Sequence, residues 1–163
     1  MKKTIALTIA ATALIGGTLA EARPGDRLRE RFAGRQNREQ VPQPPGKQTL
    51  SYGTDRLQVL DIYPARAGSS QRPPLVVFVH GGGWKRGSKD NADGTWKAPH
   101  YTGLGYAYAS INYRLVPEAT VEQQAADVAA ALRYLIDNAG RLGFDPTRIV
   151  LMGHSAGAHL VSL

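Results

Sequence analysis

The chain has 163 residues, and its 20 Lys and Arg outnumber its 13 Asp and Glu, which gives a formal net charge of +7 at pH 7. An apolar fraction of 42% is too high for a wholly disordered chain, and the length admits one domain at most. The absence of Cys excludes a disulfide framework, thiolate metal sites and a cysteine nucleophile.

The first 22 residues have the layout of a secretory signal peptide. Lys2 and Lys3 form a positive start, residues 5–19 are an uncharged apolar run, and Ala20-Glu21-Ala22 supplies a small-x-small cleavage pattern. A membrane anchor is the alternative, but the run is shorter than the roughly 20 residues of a spanning helix. We therefore expect cleavage after Ala22. The mature protein is then exported, to a bacterial periplasm or outside the cell, without a stable membrane span.

Residues 23–47 are basic and rich in Pro and Gln, which predicts a disordered linker. The positive charge of the chain is concentrated here and does not line a folded surface, which argues against nucleic-acid binding. The segment acts either as a spacer or as a basic arm that contacts anionic envelope surfaces. Its arginines are Arg23, Arg27, Arg29, Arg31, Arg35 and Arg38.

From Gln48 onward the sequence alternates between strand and helix patterns. Two predicted strands flank the turn signal Gly53-Thr54-Asp55 and therefore form a hairpin. Two others are fully apolar, which is typical of strands covered on both faces of a parallel sheet. The predicted strands are Gln48–Tyr52, Leu57–Tyr63, the apolar Leu75–Val79, Tyr106–Tyr113 and the apolar Ile149–Met152.

One long helix is predicted over residues 121–139, where apolar residues recur at helical spacing. Asp127 is expected on its solvated face. A strand, a helix and a further strand make a βαβ unit, so we predict an α/β fold with a mostly parallel sheet and flanking helices. The apolar positions of the helix are Val121, Ala125, Val128, Ala129, Leu132, Leu135 and Ile136.

The motif Gly153-His154-Ser155-Ala156-Gly157 follows an apolar strand and precedes a helical stretch. This is the context of a G-x-S-x-G nucleophile elbow, in which the chain turns sharply out of the strand. A side chain at Gly153 or Gly157 would collide with the neighbouring strand and helix. The turn raises the Ser155 hydroxyl and points the Ala156 amide toward the place where an oxyanion would form.

A second motif, His80-Gly81-Gly82-Gly83-Trp84, follows the predicted strand at residues 75–79. Consecutive glycines let a backbone approach a substrate closely and present its amides. A phosphate-binding loop is the alternative interpretation. However, the G-x-x-x-x-G-K-[ST] pattern is absent, and Lys85 follows a Trp where that pattern requires Gly.

With these motifs the sequence resembles the α/β-hydrolase superfamily, in particular its esterases and lipases with HGGGW and GHSAG motifs (hormone-sensitive-lipase-like and feruloyl-esterase-like). The resemblance implies Ser155 as the nucleophile and Ala156 with Gly82 or Gly83 as oxyanion donors. It implies hydrolysis of small-molecule or polysaccharide-linked carboxylic esters through an acyl-enzyme, without a cofactor. It extends over about residues 48–163, through the stretches Asp61–Pro64, Val77–Trp84, Ser110–Leu115, Asp145–Ile149 and Gly153–Leu160.

The sequence departs from this family in its catalytic triad, whose order is Ser, then Asp or Glu, then His. Only eight residues follow Ser155; none is acidic, and the single His among them is His159, one turn along the same helix. We therefore expect the chain to be the N-terminal portion of a hydrolase, inactive on its own. An amidase or formamidase with the same machinery, or a non-catalytic binding protein of this fold, are the alternatives.

The remaining aromatic and imidazole side chains have simpler interpretations. His80 is expected to hold the glycine loop by hydrogen bonds, His154 to line the pocket, and His159 to pack or cap its helix. His100 is expected in a surface loop. Trp84, Trp96 and Tyr101 either line an acyl or aryl pocket or pack in the core and anchor loops. No pair of His has convincing metal-ligand spacing, so no metal site is predicted.

Overall fold

The computed structural model describes residues 42–66, 72–91 and 96–163. The predicted signal peptide and the linker up to residue 41 lie outside the described residues. The described elements are the strands β1 (Gln48–Ser51), β2 (Val59–Tyr63), β3 (Leu75–Val79), β4 (Ala107–Ile111) and β5 (Ile149–Gly153), and the helices α1 (Lys97–Gly103), α2 (Val121–Asp137), α3 (Ala139–Leu142) and α4 (Ala156–Ser162).

The five strands form one mixed sheet in the order β1-β2-β4-β3-β5. The predicted hairpin is confirmed, because β1 and β2 pair antiparallel. β3 lies parallel to both β4 and β5, as a βαβ unit requires. β2 runs antiparallel to β4, so the sheet is less uniformly parallel than the sequence pattern predicts.

The core occupies both faces of the sheet, and this explains the apolar strand patterns. All five residues of β3 are buried. Successive side chains of a strand point to opposite faces. Leu75, Val77 and Val79 accordingly join the larger cluster with α2, whereas Val76 and Phe78 join a smaller aromatic cluster. β5 lies at the edge of the described sheet, and Val150 on it is 52% exposed.

Helix α2 begins with a capping box formed by Thr120 and Gln123. The Thr120 hydroxyl accepts from the Gln123 amide at 3.3 Å, and the Gln123 side chain accepts from the Thr120 amide at 2.9 Å. The helix ends at Asp137, two residues before the predicted end, and α3 follows at once. Ala129 and Ile136, expected on the apolar face, are exposed.

Asp127 is buried in α2, so its expected position on the solvated face is wrong. Its carboxylate accepts bonds from the Arg114 guanidinium at 2.7 and 2.9 Å, from the Arg114 amide at 3.0 Å and from the Gln58 side chain at 2.8 Å. Burial alone would raise the pKa of Asp127, but the bonds from Arg114 outweigh it and hold this pKa below its ordinary value. A buried charge with all its bonds satisfied is tolerated, and here it ties α2 to the hairpin and to the end of β4.

Helix α1 has no counterpart among the predicted elements. It contains His100, which therefore lies in a helix and not in the expected loop. The sequence KAPHYTG shows no apolar periodicity, and its Pro and Gly are typical of loops. Pro99 is compatible with a first helical turn because that turn needs no amide bond there. Within the three described ranges, no helix combines the length and the hydropathy that a membrane crossing needs.

Candidate active site

Ser155 stands at a sharp bend between the end of β5 and the start of α4. Its backbone has φ 54° and ψ −119°, in the left-handed half of conformational space that side chains other than Gly rarely adopt. Its side chain is exposed and makes no capping bond to the helix. No described residue hydrogen-bonds to its hydroxyl. The bend therefore presents an uncommitted hydroxyl, as the predicted elbow requires.

The two glycines of the elbow fill the steric role predicted for them. A Cβ at Gly157 would lie 2.5 Å from the His80 carbonyl oxygen and closer still to that of Val79. A Cβ at Gly153 would strike the backbone of Gly157 and Ala158. Neither position admits a side chain, because the atoms it would meet belong to the backbone of β3 and α4.

The glycine loop lies against the elbow. A Cβ placed on Gly81 would come within 2.6 Å of the His154 carbonyl oxygen and 3.1 Å of the Ser155 Cβ. Gly82 and Gly83 follow with φ of 137° and 61°, values that favour glycine. From the sequence, Gly81 was predicted only to be part of the glycine-loop motif, without a role of its own. In the structure it is the residue through which the loop touches the bend at Ser155.

Residues of both motifs line one cavity of about 400 Å³. Ser155, His154 and the whole glycine triplet line it, so the structure brings Ser155 together with Gly82 and Gly83. Trp84, Trp96 and Tyr101 are not among the described residues that line this cavity. The complete lining comprises the glycines at 81–83 and 87, Arg86, Asn91, His154 and Ser155.

The amides predicted to bind an oxyanion are all unpaired. Within the described part of the chain, no acceptor receives the amide of Gly82, Gly83 or Ala156. Ala156 is the first residue of α4, where a helix leaves its amides without intrahelical partners. Unpaired amides are the kind of hydrogen-bond donor that can stabilise a developing oxyanion.

His80 fixes the start of the glycine loop from inside the protein. Its ring is buried, stacks on Tyr113 at 4.4 Å, and donates from Nδ1 to the Gly81 carbonyl at 2.8 Å. Tyr113 in turn donates its hydroxyl to the His80 carbonyl at 2.9 Å. Burial lowers the pKa of His80 by more than the bond to Gly81 raises it, which favours the neutral form of the ring. These contacts agree with the structural role predicted for His80.

A buried ion pair, which no sequence pattern predicted, fixes the far end of the same loop. The Lys89 ammonium lies 2.8 Å from the Asp61 carboxylate on β2. The Lys89 amide donates to the Asn112 side chain at 2.5 Å, and its carbonyl accepts from Ser110 at 2.9 Å. Burial alone would raise the pKa of Asp61, but the bonds it accepts, led by that from Lys89, lower it. The sequence does contain a signal for such a pair, because Asp61 is the single acidic residue in the otherwise apolar strand VLDIY.

Trp84 closes the loop in a second unusual backbone conformation, with φ 61°. Its carbonyl accepts from the buried Gln124 side chain at 2.9 Å and from the Val116 amide at 3.0 Å. Its ring packs edge-to-face on His159 at 5.7 Å and against the main core. Trp84 therefore anchors the loop, and His159 packs on it as the helix-packing interpretation predicted.

The described residues contain no partner that would activate Ser155. His159 is engaged with Trp84, and His80 is buried beneath the loop. No group of three or more His, Cys, Asp or Glu is placed to hold a metal ion in the described ranges. The site thus contains an elbow and an oxyanion loop, and the residues that would complete a triad are not among those described.

The comparison with protein families agrees with this geometry. The BD-FAE family model matches residues 60–163, which is more than half of the chain. The chain belongs to the BD-FAE family of α/β-hydrolase esterases. The matched region contains both the glycine loop and the elbow.

Individual relatives are esterases of bacteria and plants. Carboxylesterase NlhH of Mycobacterium tuberculosis (strain CDC 1551 / Oshkosh) is 42% identical over 87 residues, which is 53% of this chain. The probable isoprenylcysteine alpha-carbonyl methylesterase ICMEL2 of Arabidopsis thaliana is 34% identical over 116 residues, or 71% of this chain. The chain spans about a quarter, 27%, of the length of each of these two relatives.

Solved structures show the same fold. The thermophilic esterase Est2 of Thermogutta terrifontis matches with a TM-score of 0.64 and 31% identity, covering 72% of this chain and 43% of that one. Esterase B of Lactobacillus Rhamnosis matches with a TM-score of 0.70 and 30% identity, covering 85% of this chain and 44% of that one. The predicted α/β-hydrolase fold is therefore confirmed for the part of these enzymes that the chain spans.

Proposed function

We propose that this chain carries the nucleophile and the oxyanion site of a serine carboxylic ester hydrolase. The observation that supports it most directly is the shared cavity, in which the Ser155 bend adjoins the unpaired amides of Gly82 and Gly83. The amide of Ala156, also unpaired, completes the donor set from the opposite motif. The esterase family and relatives supply the reaction class.

In this mechanism the Ser155 oxygen attacks the ester carbonyl while a general base takes its proton. The carbonyl oxygen becomes an oxyanion and accepts bonds from the loop and elbow amides, each contributing about 3–4 kcal/mol to the transition state. Collapse expels the alcohol, and water then hydrolyses the acyl-enzyme. The base and its acid partner are not supplied by the described residues. We therefore propose that the 163-residue chain alone does not turn over esters.

We also propose a location for the protein and a class of substrates. The N-terminal signal pattern supports export to a periplasm or to the outside of the cell. There, small-molecule esters and polysaccharide-linked esters are the candidate substrates. A cavity of about 400 Å³ accommodates a small acyl or alcohol group beside the bend.

The test is p-nitrophenyl acetate hydrolysis by two proteins, the 163-residue chain and the product of the complete reading frame, each paired with its Ser155→Ala variant. We expect the complete product to lose at least about a thousandfold in kcat/KM on that substitution. We expect the 163-residue chain not to exceed its own Ser155→Ala control. Unchanged turnover in the substituted complete product would refute the nucleophile. An inert complete product would favour the non-catalytic alternative.

Covalent labelling provides a second readout. Est2 of Thermogutta terrifontis is phosphonylated by sarin and phosphorylated by paraoxon. We expect paraoxon to add a diethyl phosphoryl mass to the Ser155 peptide in the complete product, and to no peptide in its Ser155→Ala variant. Labelling of another serine would contradict the assignment.

A further inference from the structure

Arg86 belongs to the wall of the cavity that contains Ser155, and neither the ester chemistry nor the elbow accounts for it. Its backbone folds back onto the glycine loop. A Cβ on Gly82 would strike the Arg86 carbonyl and would come within 3.3 Å of the Arg86 Cγ. The stem of this side chain therefore starts directly beside Gly82, a residue proposed to donate to the oxyanion.

The guanidinium of Arg86 has no carboxylate partner among the described residues, in contrast to two arginines elsewhere in the fold. Arg114 pairs with Asp127, and Arg148 pairs with Asp145, each at 2.7 Å. Asp61 on β2 and Asp90, four residues further along the chain than Arg86, are both engaged by Lys89, at 2.8 and 3.0 Å.

The described lining of the cavity contains Arg86 and no Asp or Glu. Gly82 and Gly83, whose amides have no acceptor among the described residues, belong to the same lining. A planar guanidinium matches a carboxylate with two parallel bonds, and it is bound less tightly by water than an ammonium.

We propose that Arg86 selects esters whose acyl or alcohol part carries a carboxylate, for example the half-ester of a dicarboxylic acid. The inference rests on the proposed function. In the bound ester, the carbonyl oxygen faces the loop and elbow amides while the carboxylate pairs with Arg86. Arg86 acts here as a specificity-determining residue and takes no part in bond breaking.

The experiment compares two esters of equal length, monomethyl succinate and the neutral methyl levulinate, by saturation-transfer NMR on the 163-residue chain. We expect the chain to bind the anionic ester about fivefold more tightly, as suits a partly exposed ion pair. Added salt should reduce this preference. Arg86→Gln should abolish the preference for the anionic ester. Arg86→Lys should retain only part of that preference, because an ammonium cannot donate two parallel hydrogen bonds to a carboxylate as a guanidinium does.

Lys85→Gln is the matched control, because it removes an exposed neighbouring charge that does not line the cavity. It should leave the preference intact. Equal losses in the Lys85 and Arg86 variants would show a general charge effect and overturn the inference. So would equal binding of both esters by the unaltered chain, or binding of neither. The proposed function fails by a different result, since it requires only that Ser155→Ala abolish turnover in the complete product.

Discussion

Replacing Gly157 by Ala tests the steric logic of the elbow most directly. The added Cβ would lie 2.5 Å from the His80 carbonyl oxygen and even closer to that of Val79, so it meets backbone that cannot rotate away. Overpacking of this kind costs about 3 kcal/mol at the upper end of its range. Ala is the better helix former by about 1 kcal/mol, which offsets part of that cost. The free energy of unfolding should therefore fall by about 2 kcal/mol.

Gly140→Ala provides the control, because Gly140 also lies in a helix but is exposed, and an added Cβ there meets no atom within 4 Å. It should raise the free energy of unfolding by about 0.5 kcal/mol. Thermal unfolding followed by circular dichroism separates the two variants. The Gly157 variant should melt about 8 °C lower than the unaltered chain. An unchanged or higher Tm for it would refute the argument that Val79 and His80 exclude a side chain.

Three further predictions concern the packing around the site. Asp127→Asn should lower the free energy of unfolding by about 2 kcal/mol in urea titrations, whereas Asp137→Asn on the exposed face should change it by less than about 0.5 kcal/mol. Because folding lowers the pKa of Asp127, its contribution is present above the ordinary carboxyl pKa and is lost as the pH falls. The difference between the Asp127 variant and the unaltered chain should therefore shrink in acid, and a constant difference would contradict the assignment. Tyr113→Phe keeps the ring stacked but leaves the His80 carbonyl unpaired, so it should cost about 1 kcal/mol in the same titrations. Val150→Lys should reduce concentration-dependent association in analytical ultracentrifugation, because a charge on the β5 edge opposes strand pairing between copies; equal association of both proteins would exclude this edge.

The sequence was sufficient to predict the structure wherever the physical constraint acts between residues close together in the chain. Gly153 and Gly157 could be assigned a steric role because the motif fixes their distance from the bend at Ser155. The fully apolar run at residues 75–79 predicted a strand buried on both faces, and β3 is that strand. Helix α2 was predicted to its first residue because its apolar spacing begins at Val121.

Long-range polar contacts were beyond the reach of sequence patterns. Asp127 occupies a helix position that periodicity assigns to solvent. Its burial depends on Arg114 and Gln58, which approach only after the sheet has formed. The pairing of Lys89 with Asp61 likewise joins residues 28 positions apart. Helix α1 was missed for a different reason, since it is short and carries no apolar period.

Ser155 and Trp84 both hold backbone conformations that lower the stability of the protein, and this matters for protein engineering. Each holds a left-handed φ, 54° and 61° respectively, at an expense of about 1 kcal/mol or more. Glycine at either position would relieve that strain. Laboratory evolution guided by heat tolerance alone would therefore drift toward Gly at position 155 and discard the hydroxyl. Libraries built on this chain need a parallel screen for the reactivity of Ser155, for instance covalent labelling by an organophosphate. Such a screen separates variants that are only more stable from variants that keep the reactive hydroxyl.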